Sequence, residues 1–358
     1  MGVKVIGLEA PIIRTNDDIL ELVVQALKGI ELHDKDVIGI TESVVARSQG
    51  NYVTVDDIVK FMTEKNFKKS LILYSPIMSR NRFSIILKAF ARYADSISIV
   101  LAGDYDEQGN PNFGINQFTG VDIQKYYKEL ATKENCHLEF ISTLYPINNR
   151  CLNWKGIKLN ETIIDCRCHP EEAGQLTLKD IMCSAVTRED GSMSGFNSEY
   201  GLLGSNKATN EKLKLFPGKE DSQKLVEAIQ REFYETLCVH VEVMIYGDGC
   251  FKDPVGGIWE FADPVTAPGY TKGLEGAPNE IKIKYLADSK YKHLEGEELE
   301  KAINKEIENA KGRNLIGNMT AEGTTPRRYV DLLASLMDLT SGSGMRKTPF
   351  VLVQNYFN

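Results

Sequence analysis

The stretch from residue 70 to residue 101 constrains this chain most. Ser70-Leu71-Ile72-Leu73-Tyr74 has the length and apolarity of a buried strand, and Phe83 to Tyr93 carries a helical pattern. Ile97-Ser98-Ile99-Val100-Leu101 is a second strand, ending in Ala102-Gly103-Asp104. Strand–helix–strand order points to a parallel βαβ unit. His137-Leu138-Glu139-Phe140-Ile141 is a candidate third strand. The expected class is α/β, with α and β elements mixed.

The flanking regions alternate in the same way. Residues 3–8 read as a strand, and Asp17-Asp18 open an amphipathic helix. Asp36-Val37-Ile38-Gly39-Ile40-Thr41 is a short buried strand running into Glu42-Ser43-Val44-Val45-Ala46-Arg47-Ser48, and Val55 to Met62 is helical. Further on, the pattern predicts a helix over Ser222–Tyr234 and a strand over Leu237–Tyr246. Residues 247–280, rich in Gly and Pro, predict a long ordered loop. Helices over Glu295–Lys311 and Arg327–Leu339 and a terminal strand over Pro349–Val353 complete the pattern.

With 358 residues the chain is long enough for a substantial core. A net charge of -8 argues against general affinity for nucleic acid. The amino terminus reads as a strand start rather than a signal peptide, and no apolar stretch is long enough to span a bilayer. Seven cysteines without regular spacing fit reduced thiols, so the expected setting is cytoplasmic.

The first place for chemistry is Tyr246-Gly247-Asp248-Gly249, where a buried strand delivers a carboxylate into a glycine-flanked turn. Asp253, Glu260 and Asp263 follow within the same loop. Clustered carboxylates suit Mg²⁺ or Mn²⁺, which take oxygen ligands and bridge nucleotide phosphates. Asp and Gly are also good turn formers, so spacing alone leaves both readings open. Leu339-Thr340-Ser341-Gly342-Ser343-Gly344, followed by Arg346 and Lys347, has the small residues and cations of a phosphate cradle without the Walker pattern. A plain helix-to-strand turn explains it equally. Gly201-Leu202-Leu203-Gly204-Ser205-Asn206-Lys207 mixes glycine, hydroxyl, amide and amine. Arg80 and Arg82, at a helix start, have the forked donors that grip carboxylate or phosphate. Cys166-Arg167-Cys168-His169 lacks the partners of a zinc site and reads as structural. His240 reads as a core histidine ahead of an acid–base group.

Both ends of the chain resemble one family, the γ-glutamyl ligases that extend the deazaflavin coenzyme F(420). The resemblance covers roughly residues 1–64 and 195–358, with 65–194 as a replaced or inserted α/β segment. Ala10-Pro11-Ile12-Ile13 is similar to a Leu-Pro-Leu-Ile-like segment that contacts GTP in the family. Ser43 and Arg47 stand where a hydroxyl and a lysine hold nucleotide. Asn206 matches a Ser-Asn nucleotide contact, and Gly342 and Ser343 fall in a Met-Gly-Gln/Glu segment. The family's metal-binding Asp falls on Leu203, and its Asp-Thr metal pair on Gly247-Asp248.

The resemblance implies a ligase joining L-glutamate to a small-molecule carboxylate acceptor, with GTP as co-substrate and a divalent metal, Mg or Mn. Asp248 and Arg47 would act in catalysis. Asp248 would bind the metal, with Asp253, Glu260 and Asp263 supplying the other carboxylates. Arg80, Arg82, Arg327 and Arg328 would hold glutamate's carboxylates. The family also implies a homodimer, with neither nucleic acid nor membrane as partner. The altered metal motif keeps open a non-catalytic nucleotide- or ligand-binding protein on the same scaffold. A separate chemistry within 65–194, centred on Asp104, is the third possibility.

Overall fold

The computed structural model describes residues 2–74, 80–101, 103–105, 111–116, 120–142, 161–166, 176–177, 181, 207–215, 217–247, 251–252, 259–260, 266–277, 281–310, 328–341 and 347–357. In chain order these form β1 (Lys4–Leu8), α1 (Ile19–Ala26), β2 (Val37–Thr41), α2 (Glu42–Ser48), β3 (Tyr52–Thr54), α3 (Val55–Glu64), β4 (Ser70–Tyr74), α4 (Arg80–Tyr93) and β5 (Ser96–Leu101). There follow α5 (Ile123–Lys133), β6 (His137–Ser142), β7 (Glu161–Asp165), β8 (Leu176–Thr177), β9 (Lys207–Thr209), β10 (Lys212–Lys214), α6 (Lys219–Leu237) and β11 (Glu242–Gly247). The chain ends with β12 (Phe251–Lys252), β13 (Trp259–Glu260), β14 (Thr266–Tyr270), α7 (Ile283–Asp288), α8 (Gly296–Ala310), α9 (Tyr329–Thr340) and β15 (Phe350–Gln354).

Local chemistry sets several boundaries. Asp18 caps α1 by accepting from the amides of Leu20 and Glu21. Thr54 and Asp57 form a reciprocal capping box at the start of α3. Helix α6 runs three residues past the expected Tyr234 and stops at Cys238, which takes a left-handed φ of 54°. The strand expected to begin at Leu237 therefore begins at Glu242.

The first sheet has five strands in the order β1-β15-β2-β11-β14. Its central pair, β2 and β11, is parallel, while β1, β15 and β14 meet their neighbours antiparallel. Val37, Ile38, Ile40, Val243, Met244 and Ile245 are buried, which explains why both strands read as continuous apolar runs. One layer packs Val23, Leu27, Val226, Ile229 and Phe233 from α1 and α6 against one face. Val330, Leu333, Ala334 and Met337 of α9 cover the other.

The expected loop over 247–280 contains β14. Thr266-Ala267-Pro268-Gly269-Tyr270 reads as a turn, yet it serves as the strand at the sheet's edge, where proline's missing N–H is tolerated. Gly269 is required there by packing. A Cβ on it would lie 2.6 Å from the backbone carbonyl carbon of Ser222 in α6.

The second sheet, in the order β6-β5-β4-β7-β8, is parallel throughout. The βαβ unit expected at 70–101 is present, with Leu71 opposite Ile97. Helices α4 and α5 pack on it through Phe83, Ile86, Phe90, Tyr127 and Ala131. This core also takes in Val53, Ile58 and Met62 from one side of the segment and Leu213 and Leu215 from the other. The small sheet β3-β10-β9 is thus the joint between the two halves.

Replacing Gly269 by alanine tests the tightest contact between helix and sheet. The clash is with backbone, which does not swing away. Gly269→Ala is expected to destabilise the fold by about 2 kcal/mol or more. In urea unfolding this appears as a lower midpoint with an unchanged slope.

Candidate functional site

The register of the first sheet brings five chain segments to one edge. Strands β2 and β11 run side by side with Thr41 opposite Tyr246. Strand β1 ends with Leu8 opposite Phe350, the first residue of β15. Gly247, the last residue of β11, pairs with Thr266, the first of β14. The segments that follow Leu8, Thr41 and Gly247, and those that precede Thr266 and Phe350, therefore share the carboxyl edge of the parallel pair. Ligands of α/β sheets bind at such edges.

Backbone hydrogen bonds stitch this edge together. The Ala10 amide donates to Lys347 O at 2.9 Å, and the Thr41 amide to Pro349 O at 3.0 Å. The Asn16 amide donates to Ser48 O at 2.8 Å, drawing the 10–16 segment to the end of α2. Within that segment Ile13 is buried as an anchor, whereas Pro11 and Ile12 face solvent. Ile12 is 76% exposed.

Ser43 and Arg47 lie one helical turn apart on α2 and so share a face. Ser43 is half-buried and Arg47 exposed. The Ser43 Oγ accepts a hydrogen bond from Lys214 Nζ. Lys214 is itself buried, with 8% exposure. No local feature of the sequence singles out Lys214. Its signal was weak: Lys212-Leu213-Lys214-Leu215 alternates as a strand, but nothing local says which lysine is buried.

Two of the segments at this edge are rooted by one buried contact. Tyr246, at the end of β11, donates its hydroxyl hydrogen to Ser341 Oγ at 3.0 Å, and both residues are 1% exposed. Tyr246 lies two residues before Asp248, and Ser341 one residue before Gly342. Burial pushes the Tyr246 phenol above its ordinary value of 10.0, against the opposing effect of the Ser341 hydrogen bond. The Asp338 charge raises it further.

The remaining expected residues divide as follows. Asp248, Asp253, Asp263, Asn206, Gly342, Ser343 and Arg327 lie outside the described residues. Glu260 sits in β13 opposite Phe251. Among the described residues no group of three or more His, Cys, Asp or Glu side chains has the arrangement to hold a metal. Arg80 and Arg82 occupy the first turn of α4, on the second sheet, and their side chains also lie outside the described set. Arg328 is engaged at the start of α9, donating to Asp331 Oδ1 at 2.8 Å and Oδ2 at 3.0 Å.

His240 is not a core histidine. It is exposed, stacks against Tyr234 with ring centroids 4.3 Å apart, and stands before β11, at the end of the strand opposite Tyr246. Cys166 is buried at the end of β7, in keeping with a structural role, and Arg167, Cys168 and His169 lie outside the described residues. A cleft of about 360 Å³ between α4 and α5 is lined by Ser84, Lys88, Tyr126, Glu134 and Asn210. Asp104 does not line it, and Lys88 is ion-paired there with Glu134 and Glu211. That cleft gives no support to chemistry centred on Asp104.

The F420-0:Gamma-glutamyl ligase family matches residues 7–355. The chain belongs to this family of ligases. The match runs from β1 to β15 and includes both sheets. A curated relative, the coenzyme F420:L-glutamate ligase of Methanothermobacter thermautotrophicus (strain Delta H), is 38% identical over 61 residues. That alignment covers 16% of this chain and 24% of the relative. Among the described residues no helix is long and apolar enough to cross a membrane.

Replacing Tyr246 by phenylalanine tests the root of the edge. Ser341 would lose its buried partner, and Tyr246→Phe should cost about 1 kcal/mol. The pH sign follows from the raised phenol. The folded state holds the proton more tightly than the unfolded chain, so this stabilisation is complete below pH 10.0 and is lost as pH rises above it. Urea midpoints measured from pH 8 to 11 should fall less steeply for Tyr246→Phe than for the wild type.

Proposed function

We propose that this protein is a nucleotide- and metal-dependent amide ligase that adds L-glutamate, or a similar amino acid, to a carboxylate acceptor. The observation that carries the proposal is the convergence of Ala10–Ile13, Ser43 and Arg47 with the root of Asp248 at one sheet edge, in a chain of this family. The γ-phosphoryl group of GTP would pass to the acceptor carboxylate, releasing the diphosphate. The amine of glutamate would then attack the acyl carbon of the acyl phosphate, expelling phosphate and losing a proton. Ser43 and Arg47 would bind and orient the phosphates, Arg47 as a charge-assisted donor that stabilises charge on the transferred group.

The donor set suits a hard divalent cation. Asp248, Asp253, Glu260 and Asp263 fall on or beside a chain excursion whose ends, Gly247 and Thr266, are paired. It is drawn in again where Phe251 meets Glu260. The sequence between these paired ends carries the several oxygen ligands that Mg²⁺ or Mn²⁺ takes. Such an ion, when bound, neutralises charge on the phosphates. The reading carries with it a cytoplasmic homodimer. It also treats 65–194 as a segment with its own sheet, whose arginines Arg80 and Arg82 are candidates for glutamate binding.

The test is an assay of the pure protein with GTP or ATP, Mg²⁺ or Mn²⁺, glutamate and a panel of deazaflavin and folate-like carboxylates. Acceptor-dependent nucleotide turnover is expected. Asp248→Ala should lower the rate by about a hundredfold or more. Arg47→Ala should weaken nucleotide binding by about tenfold. Binding of nucleotide without turnover against any acceptor would instead favour a non-catalytic ligand-binding protein, in keeping with Leu203 at the place of the family's carboxylate.

A further inference from the structure

We propose that Lys214 is a phosphate-binding residue of this site, its buried ammonium acting together with Ser43 and Arg47 on an anionic, phosphate-bearing ligand. Lys214 ends β10, which pairs with β3 through Lys214 opposite Tyr52. Its neighbours in sequence, Leu213 and Leu215, are fully buried in the second core. Strand alternation turns Lys214 the other way, toward the first sheet. There its ammonium donates to Ser43 Oγ in the first turn of α2, directly after the carboxyl end of β2. An amine, a hydroxyl and, one helical turn on, a guanidinium are gathered from two elements 171 residues apart in sequence.

Removing an ammonium from water is expensive, and here the Ser43 hydroxyl offsets part of that cost. A phosphate group at this place would take a point charge from Lys214 and a directional donor from Ser43. Glu42, buried beside Ser43 in sequence, is the alternative reason for a buried cation here. The two explanations differ in what removing the charge does. A lysine kept for a ligand leaves the ligand-free fold as stable or more stable when an apolar residue of similar length replaces it. A lysine kept only to balance Glu42 destabilises the fold when lost and leaves anion binding unchanged.

The inference rests on the proposed function for the edge at which ligand binds, so the probe is inorganic tripolyphosphate as well as GTP. The full-length protein and Lys214→Met are compared by calorimetric titration and by the melting temperature without ligand. Lys214→Met is expected to weaken tripolyphosphate binding by about tenfold or more and to hold or raise the melting temperature. Lys214→Arg, which keeps the charge, should retain most of the binding. Equal affinity of Lys214→Met and wild type overturns the inference, as does lost stability with binding intact.

Tripolyphosphate binding that depends on Lys214, without nucleotide turnover on any acceptor, sinks the ligase reading and leaves the inference standing. A wild type that binds neither probe overturns both. Should Lys214→Met fail to fold, the Lys214 ammonium signal of ¹⁵N-lysine-labelled wild type, assigned with Lys214→Arg, decides. A shift on adding tripolyphosphate is expected, and an unmoved signal overturns the proposal.

Discussion

The parallel pairing of β2 with β11 is the constraint on which the candidate site depends. It joins residues 37–41 to residues 242–247 across most of the chain, in register from Val37 opposite Glu242 to Thr41 opposite Tyr246. Parallel strands need cover on both faces, and α1 and α6 on one side and α9 on the other supply it. The close approach of α9 uses Gly39, where a Cβ would fall 2.1 Å from Met337 Sδ and 3.0 Å from the Tyr246 ring. Once two parallel strands lie at the centre, their carboxyl ends share an edge. Antiparallel β1, β15 and β14 then bring their own connections to that same edge.

The second sheet is joined to this edge through a very short strand. In β10 and the residue after it, Leu213 and Leu215 enter the second core while Lys214 reaches Ser43. A single alternating strand thus fixes the position of an ammonium in one half by packing in the other. The turn before β10 is tied from the opposite side, with Glu211 paired to Lys88 and Arg92, and Arg92 also to Glu134 and Asp56. Hydrogen bonding to Glu134, ahead of the opposing effect of burial, holds Arg92 more firmly protonated than usual. This network is partly exposed, so its worth lies more in orienting α3, α4, α5 and the β9–β10 turn than in stability.

Much of the scaffold was legible because its strands are long apolar runs and its helices have caps. Ser70–Tyr74 and Ile97–Leu101 announced the parallel sheet, and Asp17-Asp18 marked the start of α1. Helix α5 went unread because its apolar stripe is thin: Ile123, Tyr127 and Ala131 are buried among lysines and glutamates. Strand β14 was hidden because Pro268 and Gly269 have local preferences for turns, and only the approach of α6 explains the glycine. The start of β11 was misplaced because a left-handed residue at Cys238, which is no glycine, ends α6 without a local signal. Of the candidate site, Ser43, Arg47 and the 10–13 segment were readable from resemblance. Lys214 was not, since the burial of one lysine among several is decided by tertiary packing.

In the proposed ligase the chemistry of the site is divided between neighbouring strands. The hydroxyl and cationic groups, Ser43, Arg47 and Lys214, lie on and around the helix that follows β2. The expected carboxylates lie on the excursion that follows β11. Neighbouring strands stand about 4.8 Å apart, a spacing that a short run of linked phosphates spans. Cations that grip phosphate and carboxylates that grip metal would neutralise one another if they shared one loop. In the proposed ligase, sets placed on adjacent parallel strands would face the same triphosphate each from its own side, and the buried Tyr246–Ser341 contact holds the end of β11 to the end of α9. On this reading the loss of a carboxylate at Leu203 matters less than the separation of the two sets, because the sequence between Gly247 and Thr266 has other carboxylates to offer.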